Sequence, residues 1–537
     1  MKQNTIKFLL WVCLGGVLLI SAYSCSGTKG NDAGTARPNV ILILGDDMSS
    51  DHFGFINGKA LTPNMDRLAN DGLYFSRTYI PSAACTPTRF SCLTGRLASR
   101  CQSPGFINSA TPEGVYAVEW NTPLSDEPYI LSRTMKDAGY VTGITGKWHN
   151  GASPEFGRIR RELNFLDDPA DPVVAEKLKA MDQAFKEVLY SLGFDYAEGS
   201  VYANYGAHPL KALRYHNQEE ITKSAVDFIR QNKDNPFFLY IPTTLMHGPP
   251  PLESLHADPR KTFSGLLDEP IDIQPSREDV LARTTAAGIE DKLAGATWLD
   301  DGIGVVIKTL EELELDKNTL IIFVDDQGYD GGKASCYEGG VRVPSMFYWP
   351  GKIKPATSEA LVANIDLYPT ICEVCGIEID TSMYDGRSLW PVLTGKQDKI
   401  RDEIYCEWSY SRAIVTEDWK YLAFRLPTSK QLSYEEKVAL GERVKRDREE
   451  RNESAYTPTP DEPLSHMGYP GGQSVERGNA VINYPHYYDP DQLYHLKNDR
   501  WEQVNLAENP EYADKLKEMK ARLSEWVKEM PGTFGEF

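Results

Sequence analysis

Apolar and polar positions alternate along this chain in blocks. Val40 to Leu44, within PNVILILGDD, is an unbroken apolar run that stops at Gly45-Asp46-Asp47. A short apolar run without polar interruption predicts a strand covered on both faces, as in a parallel sheet. TPNMDRLANDGLYFSRTY then predicts a capped helix entering a second strand. YILSRTMKDAGYVTGITGKWH repeats that pattern, with Gly139 terminating the helix. Thr222 to Asn232 has helical spacing, and PFFLYIPTTLMH reads as a strand ending at a histidine. A long helix over Leu293 to Leu315 precedes NTLIIFVDDQG, another strand that closes on carboxylates. Alternating helix and strand predict an α/β fold with a large, mostly parallel sheet flanked by helices. Such sheets bind ligands beyond the carboxyl ends of their strands, where polar residues gather here.

Near residue 400 the period changes. EIYCEWSY, RAIVTEDWKYLAFR and QLYHLKND alternate as short antiparallel strands, and Tyr512 to Met530 has helical spacing. An α/β domain over 38–400 and a smaller C-terminal α+β domain over 401–537 are therefore expected. Ser433 to Glu453 is highly charged and reads as a solvated helix, and TPTPDEPLSHMGYPGGQS as a long loop. Cys372 and Cys375 form a CxxC, but DLYPTICEVCG has a helical apolar pattern, so they read as core cysteines.

The first residues follow a different rule. Lys2 and Lys7 precede the apolar run Phe8 to Ile20, and small residues lead to Cys25. A membrane-spanning helix needs about 20 apolar residues, so this shorter run reads as a signal peptide over 1–24. Ala22 and Ser24 before Cys25 resemble a bacterial lipobox, which makes Cys25 a candidate lipid anchor, and 25–37 is a small, polar tether. The expectation is an exported protein, periplasmic or held at the outer membrane or cell surface as a lipoprotein. With Cys13 in the signal and Cys25 at the anchor, seven of the nine cysteines remain, so at least one is unpaired.

Charge narrows the function classes. The 537 residues include 57 basic and 77 acidic side chains, a net charge of −20. That balance opposes nucleic-acid binding, which depends on Lys and Arg neutralising phosphates, and docking on anionic lipid. It also disfavours an anionic substrate unless one pocket reverses the sign.

Two carboxylate pairs, Asp46-Asp47 and Asp325-Asp326, end two predicted strands. Adjacent carboxylates in tight turns repel unless a cation offsets them, and oxygen-rich sites suit hard cations. The segment Cys85-Thr86-Pro87-Thr88-Arg89, with Thr94-Gly95 after a short gap, carries a signature. Here the chain resembles the sulfatases of the alkaline-phosphatase-like superfamily, whose pattern is C-x-P-[S/T]-R followed by T-G. The resemblance extends through PNVILILGDD, GKWHNG, the His247 segment MHGPP, DDQGYDGGKASCYEGGVRVP and LYHLKNDRWEQVNLAENPE, in the family's order from about Pro38 to the end. Two departures stand out. Cys92 replaces an apolar residue, and Gln327 stands where the family commonly has Asn or His.

The resemblance implies a fold, an activity and a site. Cys85 would be oxidised to formylglycine by a formylglycine-generating enzyme, and its hydrate would be the nucleophile. Asp46, Asp47, Asp326 and Gln327 would hold a divalent ion, Ca²⁺ or alternatively Mg²⁺, with an oxygen of modified Cys85. Asp325 would be a neighbour rather than a ligand. Arg89 would hold the hydrate, Lys147 and Lys333 the sulfate oxygens, and His247 with Lys333 would protonate the leaving alcohol. His149 would deprotonate the sulfated intermediate. His208, Arg214 and His216 are candidate specificity residues, and Trp120, Trp148, Tyr205 and Tyr215 either sugar-stacking faces or core aromatics. His52 reads as structural and Arg342 as ordering the metal loop. The implied reaction is hydrolysis of sulfate esters on a glycan. Phosphonate or phosphate monoester hydrolysis, an arylsulfatase, or a glycan-binding protein without catalysis are the alternatives.

Overall fold

The computed structural model describes residues 37–450, 460–461 and 480–536. The signal segment, Cys25, the tether before Arg37 and nearly all of the 457–474 loop lie outside the described residues. Arg37–Phe537 forms one compact unit.

Its main sheet is built from β1 (Asn39–Asp46), β2 (Leu73–Tyr79), β3 (Val141–Ile144), β4 (Phe237–Met246), β5 (Thr319–Asp325), β6 (Arg342–Tyr348), β7 (Ala356–Ser358) and β8 (Val362–Ala363). The spatial order is β7-β2-β6-β5-β1-β4-β3, with β8 also on β2. β1 pairs in parallel with β4 and β5, and β3 with β4. Only β6 runs against its neighbours. It follows β5 after a loop rather than a crossover helix, so it returns antiparallel. Register aligns Gly45 with Asp325 and Asp46 with Met246, which brings three strand ends to one row.

The unbroken apolar run of β1 is explained by two covered faces. Ile41 and Ile43 pack with Phe53, Met65, Phe228 and Trp298. Val40, Leu42 and Leu44 pack on the other side with Phe75, Phe90, Leu131 and Tyr240. Each buried aliphatic side chain contributes about 2 kcal/mol. The expected helices are found at Pro63–Asp71, Leu131–Asp137, Gln218–Gln231 and Ala294–Glu312. A helix over Pro172–Ser191, capped by Asp171, was not anticipated.

The C-terminal strands β9 (Ile404–Trp408), β10 (Ser411–Val415), β11 (Trp419–Phe424) and β12 (Asp491–His495) form an antiparallel sheet backed by the helix Ala513–Glu529. Its core includes Ala83, Ala84, Ala334 and Tyr337, so this sheet packs directly behind the segments that flank Cys85 and Lys333. The charged segment forms a helix, Tyr434–Glu450. Cys372 and Cys375 are buried at the helix Leu367–Val374, and all seven described cysteines are buried and unpaired.

Candidate active site

The site lies at the carboxyl ends of β1, β4 and β5. After β1 the chain turns sharply, with Asp47 at φ +59°. This turn is laced to the turn after β5. Met48 N–H donates to Asp325 Oδ2 at 2.9 Å, and Asp47 N–H to Asp326 Oδ1 at 3.2 Å. Cys85 opens the buried helix Cys85–Thr94, and Arg89, one turn on, shares its face. Arg89 donates from Nη1 to the Lys147 carbonyl at 2.7 Å and from Nη2 to Asp326 Oδ2 at 3.0 Å. Lys147 Nζ sits 2.6 Å from Asp46 Oδ2. Lys333 Nζ spans Asp47 Oδ1 and Oδ2 at 2.6 and 2.8 Å and stands 3.9 Å from Cys85 Sγ. Gln327 Nε2 donates to Asp47 Oδ1 and lies 3.6 Å from Cys85 Sγ, which is 3.7 Å from Asp46 Oδ1. His247, the most exposed of the group, has Nε2 3.7 Å from Asp47 Oδ2. His149, at φ +65°, donates its N–H to Tyr202 O at 2.9 Å, and its carbonyl accepts from Thr86 Oγ1 at 3.3 Å.

Electrostatics follow from this crowding. Burial raises the Asp46 carboxyl, but Lys147, His247 and Arg89 outweigh it and hold it far below the usual carboxylate range. Asp326 is pushed up to about 7 by burial and by Asp46. Burial, then Asp326, Asp47 and Asp46, push Asp325 well up. The Cys85 thiol is pushed up to about 12 by burial and by the Asp326 charge. Burial and the charges of Lys147 and Arg89 keep His149 well below its ordinary value, and burial with Lys147 lowers His247. Burial lowers Lys333, but Asp47 and the other anions overcome it, so its ammonium stays charged.

The donor set fits a hard cation. Ligand atoms of Asp46, Asp47, Cys85 and Asp326 lie within 4.8 Å of one another. Gln327 Oε1 is buried without a hydrogen-bond partner, as a carbonyl reserved for a cation would be. Asp325 stands outside this group, with Oδ2 occupied by Met48 N–H.

Three sequence candidates sit elsewhere. His208 is fully buried, with Nδ1 accepting from Leu210 N–H and Nε2 facing the Phe263 carbonyl, both at 3.1 Å. Arg214 donates to the His208 carbonyl at 2.8 Å and stacks on Phe165. His216 Nδ1 meets Thr244 Oγ1 at 2.9 Å, and Nε2 faces the His247 and Pro249 carbonyls at 2.9 and 3.1 Å. His216 therefore supports the His247 turn rather than lining a cavity. Trp148 and Tyr205 are fully buried and offer no face to a sugar. His52 accepts from Ser49 N–H at 2.9 Å, and Arg342 donates to the Ser76 carbonyl at 2.9 Å and faces Glu338.

Two more residues of the quoted motifs, Thr88 and Asn150, brace the site, although the sequence assigns them no role. Thr88 Oγ1 donates to the Asp326 carbonyl at 2.5 Å, and Asn150 Nδ2 bonds the Thr86 and Thr122 carbonyls at 2.9 and 3.0 Å. Asn150 lies inside GKWHNG, so its motif was the available signal.

The sulfatase family model matches residues 38–377, most of the chain. The chain belongs to the sulfatase family. It is thereby a sulfuric ester hydrolase. A second model, the C-terminal region of N-sulphoglucosamine sulphohydrolase, matches residues 329–442 of this sulfatase. An N-acetylgalactosamine-6-O-sulfatase of Bacteroides thetaiotaomicron is 26% identical over 480 residues, covering 76% of this chain and 87% of the relative. Human arylsulfatase A is 28% identical over 402 residues, covering 70% and 71%. A solved sulfatase from a glycosaminoglycan-metabolising locus of Bacteroides thetaiotaomicron superposes with TM-score 0.58 at 22% identity, covering 92% of this chain and all of that one. Another, solved with D-glucosamine-2-N,6-O-disulfate as its substrate, gives TM-score 0.57 at 20% identity, covering 92% and 98%. The expected α/β architecture with a C-terminal antiparallel sheet is the fold these structures share. Among the described residues no helix is long and apolar enough to cross a membrane.

Proposed function

We propose that this sulfatase removes O-sulfate groups from a glycan, with Cys85 in its formylglycine form beside Ca²⁺ or Mg²⁺. The observation that carries the reading is the convergence of Arg89, Lys147 and Lys333 on Cys85 and its carboxylates. Cleavage of a sulfate ester spreads negative charge over the sulfonyl and leaving oxygens, so fixed cations there lower the barrier. A buried thiol pushed up to about 12 is a neutral, poor nucleophile, which favours an aldehyde hydrate as the attacking group.

Asp46, Asp47, Asp326 and Gln327 would hold the cation, whose contribution when bound is to acidify a hydroxyl and draw charge from substrate oxygens. Arg89 fixes residue 85 relative to Asp326. Lys147 and Lys333 would bind the sulfate oxygens. His247, on the open side, would deliver a proton to the leaving alcohol with Lys333. His149, neutral at ordinary pH, would take a proton at residue 85 as the site resets. The glycan assignment is supported by relatives named for sulfated amino sugars. Export with a Cys25 lipid anchor, and maturation by a formylglycine-generating enzyme, complete the proposal.

Released sulfate from a panel of defined sulfated mono- and oligosaccharides, aryl sulfates and phosphate monoesters tests the substrate. Turnover of aryl sulfates alone would remove the glycan assignment. Mass spectrometry of the Cys85 peptide from the native host tests the nucleophile. An intact thiol there, or full activity in Cys85→Ala, would refute it.

A further inference from the structure

Two motifs are left without a chemical role: Tyr337-Glu338-Gly339-Gly340 after Lys333, and Trp501-Glu502 near the C-terminus. In the structure they meet. The loop between β5 and β6 runs out and folds back on itself. Gly328 N–H donates to Gly340 O at 2.8 Å and Asp330 N–H to Gly339 O at 3.2 Å. A Cβ on Gly340 would stand 2.0 Å from Gly332 O, and one on Gly332 would stand 2.3 Å from Gly340 N. The outgoing leg, which carries Lys333, thus lies directly against the returning leg. Wherever the returning leg sits, Lys333 follows.

The C-terminal sheet fixes that returning leg. Glu338 N–H donates to Glu502 Oε2 at 2.6 Å, and Gly339 N–H to Tyr484 Oη at 3.1 Å. Tyr337 stacks on Tyr484 with centroids 3.9 Å apart, and its hydroxyl donates to Gln492 Oε1 at 2.6 Å. Lys420 on β11 stands between two carboxylates, 3.1 Å from Glu338 Oε1 and 2.8 Å from Glu502 Oε1. The other Glu338 oxygen accepts from Tyr79 at 3.2 Å and faces Arg342 Nη1 at 3.6 Å. Lys420 and Glu502 are fully buried, and Glu502 holds φ +57°, uncommon for a residue with a side chain. Buried ion triads are often matched or bettered in stability by apolar residues of similar volume. Stability alone therefore gives little reason for this one.

We propose that Glu502 and Lys420 are positioning residues through which the C-terminal sheet sets Lys333 against Asp47 and Cys85. The proposal rests on the role given to Lys333 above. It predicts that disturbing the triad, more than 80 residues from Lys333 in sequence at Lys420, copies the loss of Lys333.

The test uses the mature full-length enzyme carrying Glu502→Gln, Glu502→Ala, Lys420→Met or Lys333→Ala, and Glu502→Ala with Lys333→Ala. Turnover is read on 4-nitrophenyl sulfate, whose leaving group needs little protonation, and on a sugar O-sulfate, whose leaving group needs more. Because Lys333 would both bind the sulfate and help protonate the leaving alcohol, Glu502→Ala should lower kcat/KM on both substrates, by about a hundredfold on the sugar sulfate and less on the aryl ester, in the same substrate ratio as Lys333→Ala. It should add nothing in the Lys333→Ala background. A substrate ratio unlike that of Lys333→Ala, or additive losses in the double variant, would overturn the proposal. Acylation of Lys333 by acetic anhydride, read by mass spectrometry, gives a second measure that does not need turnover. Lys333 should label several-fold faster in Glu502→Ala, while exposed Lys59 is unchanged. Unchanged Lys333 labelling overturns the proposal whatever the activity. A wild-type enzyme that releases no sulfate would defeat the functional reading but leave the labelling comparison decisive. If Glu502→Ala does not fold, Glu502→Gln and Lys420→Met carry the same comparisons.

Discussion

Gly340→Ala adds one methyl group where the structure leaves no room for it. The new Cβ would stand 2.0 Å from Gly332 O and 2.6 Å from the Gly332 carbonyl carbon. Real Cβ atoms essentially never approach a heavy atom closer than 3.0 Å, so the two legs must part by at least about 1 Å. The neighbour is backbone, which cannot rotate aside. Gly340 does not occupy the left-handed region, so torsional preference plays no part in the effect. Alanine would in fact stabilise by about 0.4–1 kcal/mol through the unfolded chain, against an overpacking cost of about 1–3 kcal/mol. A net loss on the order of 1–2 kcal/mol is expected.

Catalysis should suffer more than stability. Gly332 directly precedes Lys333, whose Nζ reaches Asp47 at 2.6 and 2.8 Å. A shift of about 1 Å takes that contact out of hydrogen-bond range, and misplacement of this size costs about a hundredfold in rate. The assay is sulfate release under steady-state conditions, well below the unfolding temperature, with thermal unfolding followed in parallel. Gly105→Ala is the control, because nothing lies within 4 Å of its Cβ. Wild-type kcat and unchanged unfolding in Gly340→Ala would show that the legs are not pressed together as described.

Other expectations follow from separate parts of the molecule. Arg89→Lys replaces a fork that bonds Lys147 O and Asp326 Oδ2 together by a single ammonium, so kcat should fall about a hundredfold and stability by about 3 kcal/mol, read by turnover and denaturant unfolding. Chelation should lower the unfolding temperature and Ca²⁺ should restore it by mass action. Gln327→Leu should weaken Ca²⁺ binding to the metal-free protein in calorimetric titration, and unaltered affinity would exclude its carbonyl as a ligand. Burial pushes the Glu119 carboxyl up to about 7, and Oε1 has no partner. A carboxyl raised in the folded state contributes stability at low pH that is lost as pH rises through about 7. Glu119→Gln should therefore gain on the wild type by up to about 3 kcal/mol between pH 5 and pH 8, and parallel pH–stability curves would contradict this.

What could be read in advance depended on how local each signal was. The β1 run announced a doubly covered strand because every residue from Val40 to Leu44 meets one hydrophobic layer or the other. Cys85, Lys147, His149 and the aspartate pairs stand in short contiguous motifs, and contiguity survives in sequence. His208, Arg214 and His216 are specificity candidates only through residue type and their place just before a helix. Whether a histidine faces solvent or two backbone carbonyls depends on segments far along the chain, Phe263 for one and Pro249 for the other. For Trp148 and Tyr205 the core alternative holds, and the sequence leaves that choice open because an aromatic in a polar stretch gives no sign of its burial. Glu502 contacts Glu338 across 164 positions, a pairing that no period or spacing encodes.

The net charge of −20 opposes an anionic substrate at long range, and the site resolves the conflict locally. Four buried carboxylates, Asp46, Asp47, Asp325 and Asp326, face the three cations Arg89, Lys147 and Lys333. Burial and the neighbouring carboxylates push Asp325 well up, and even with all four carboxylates counted as charged, a divalent ion and the three cations leave one positive charge in excess where a sulfate would sit. The acidity that remains lies outside this cluster. It repels polyanions at long range while the pocket attracts a single sulfate at short range, and screening by salt weakens only the first of these. Selectivity should therefore run toward short or modestly sulfated glycans at low ionic strength and relax as salt is added. A pocket whose attraction came from the whole surface would lose affinity for every substrate together.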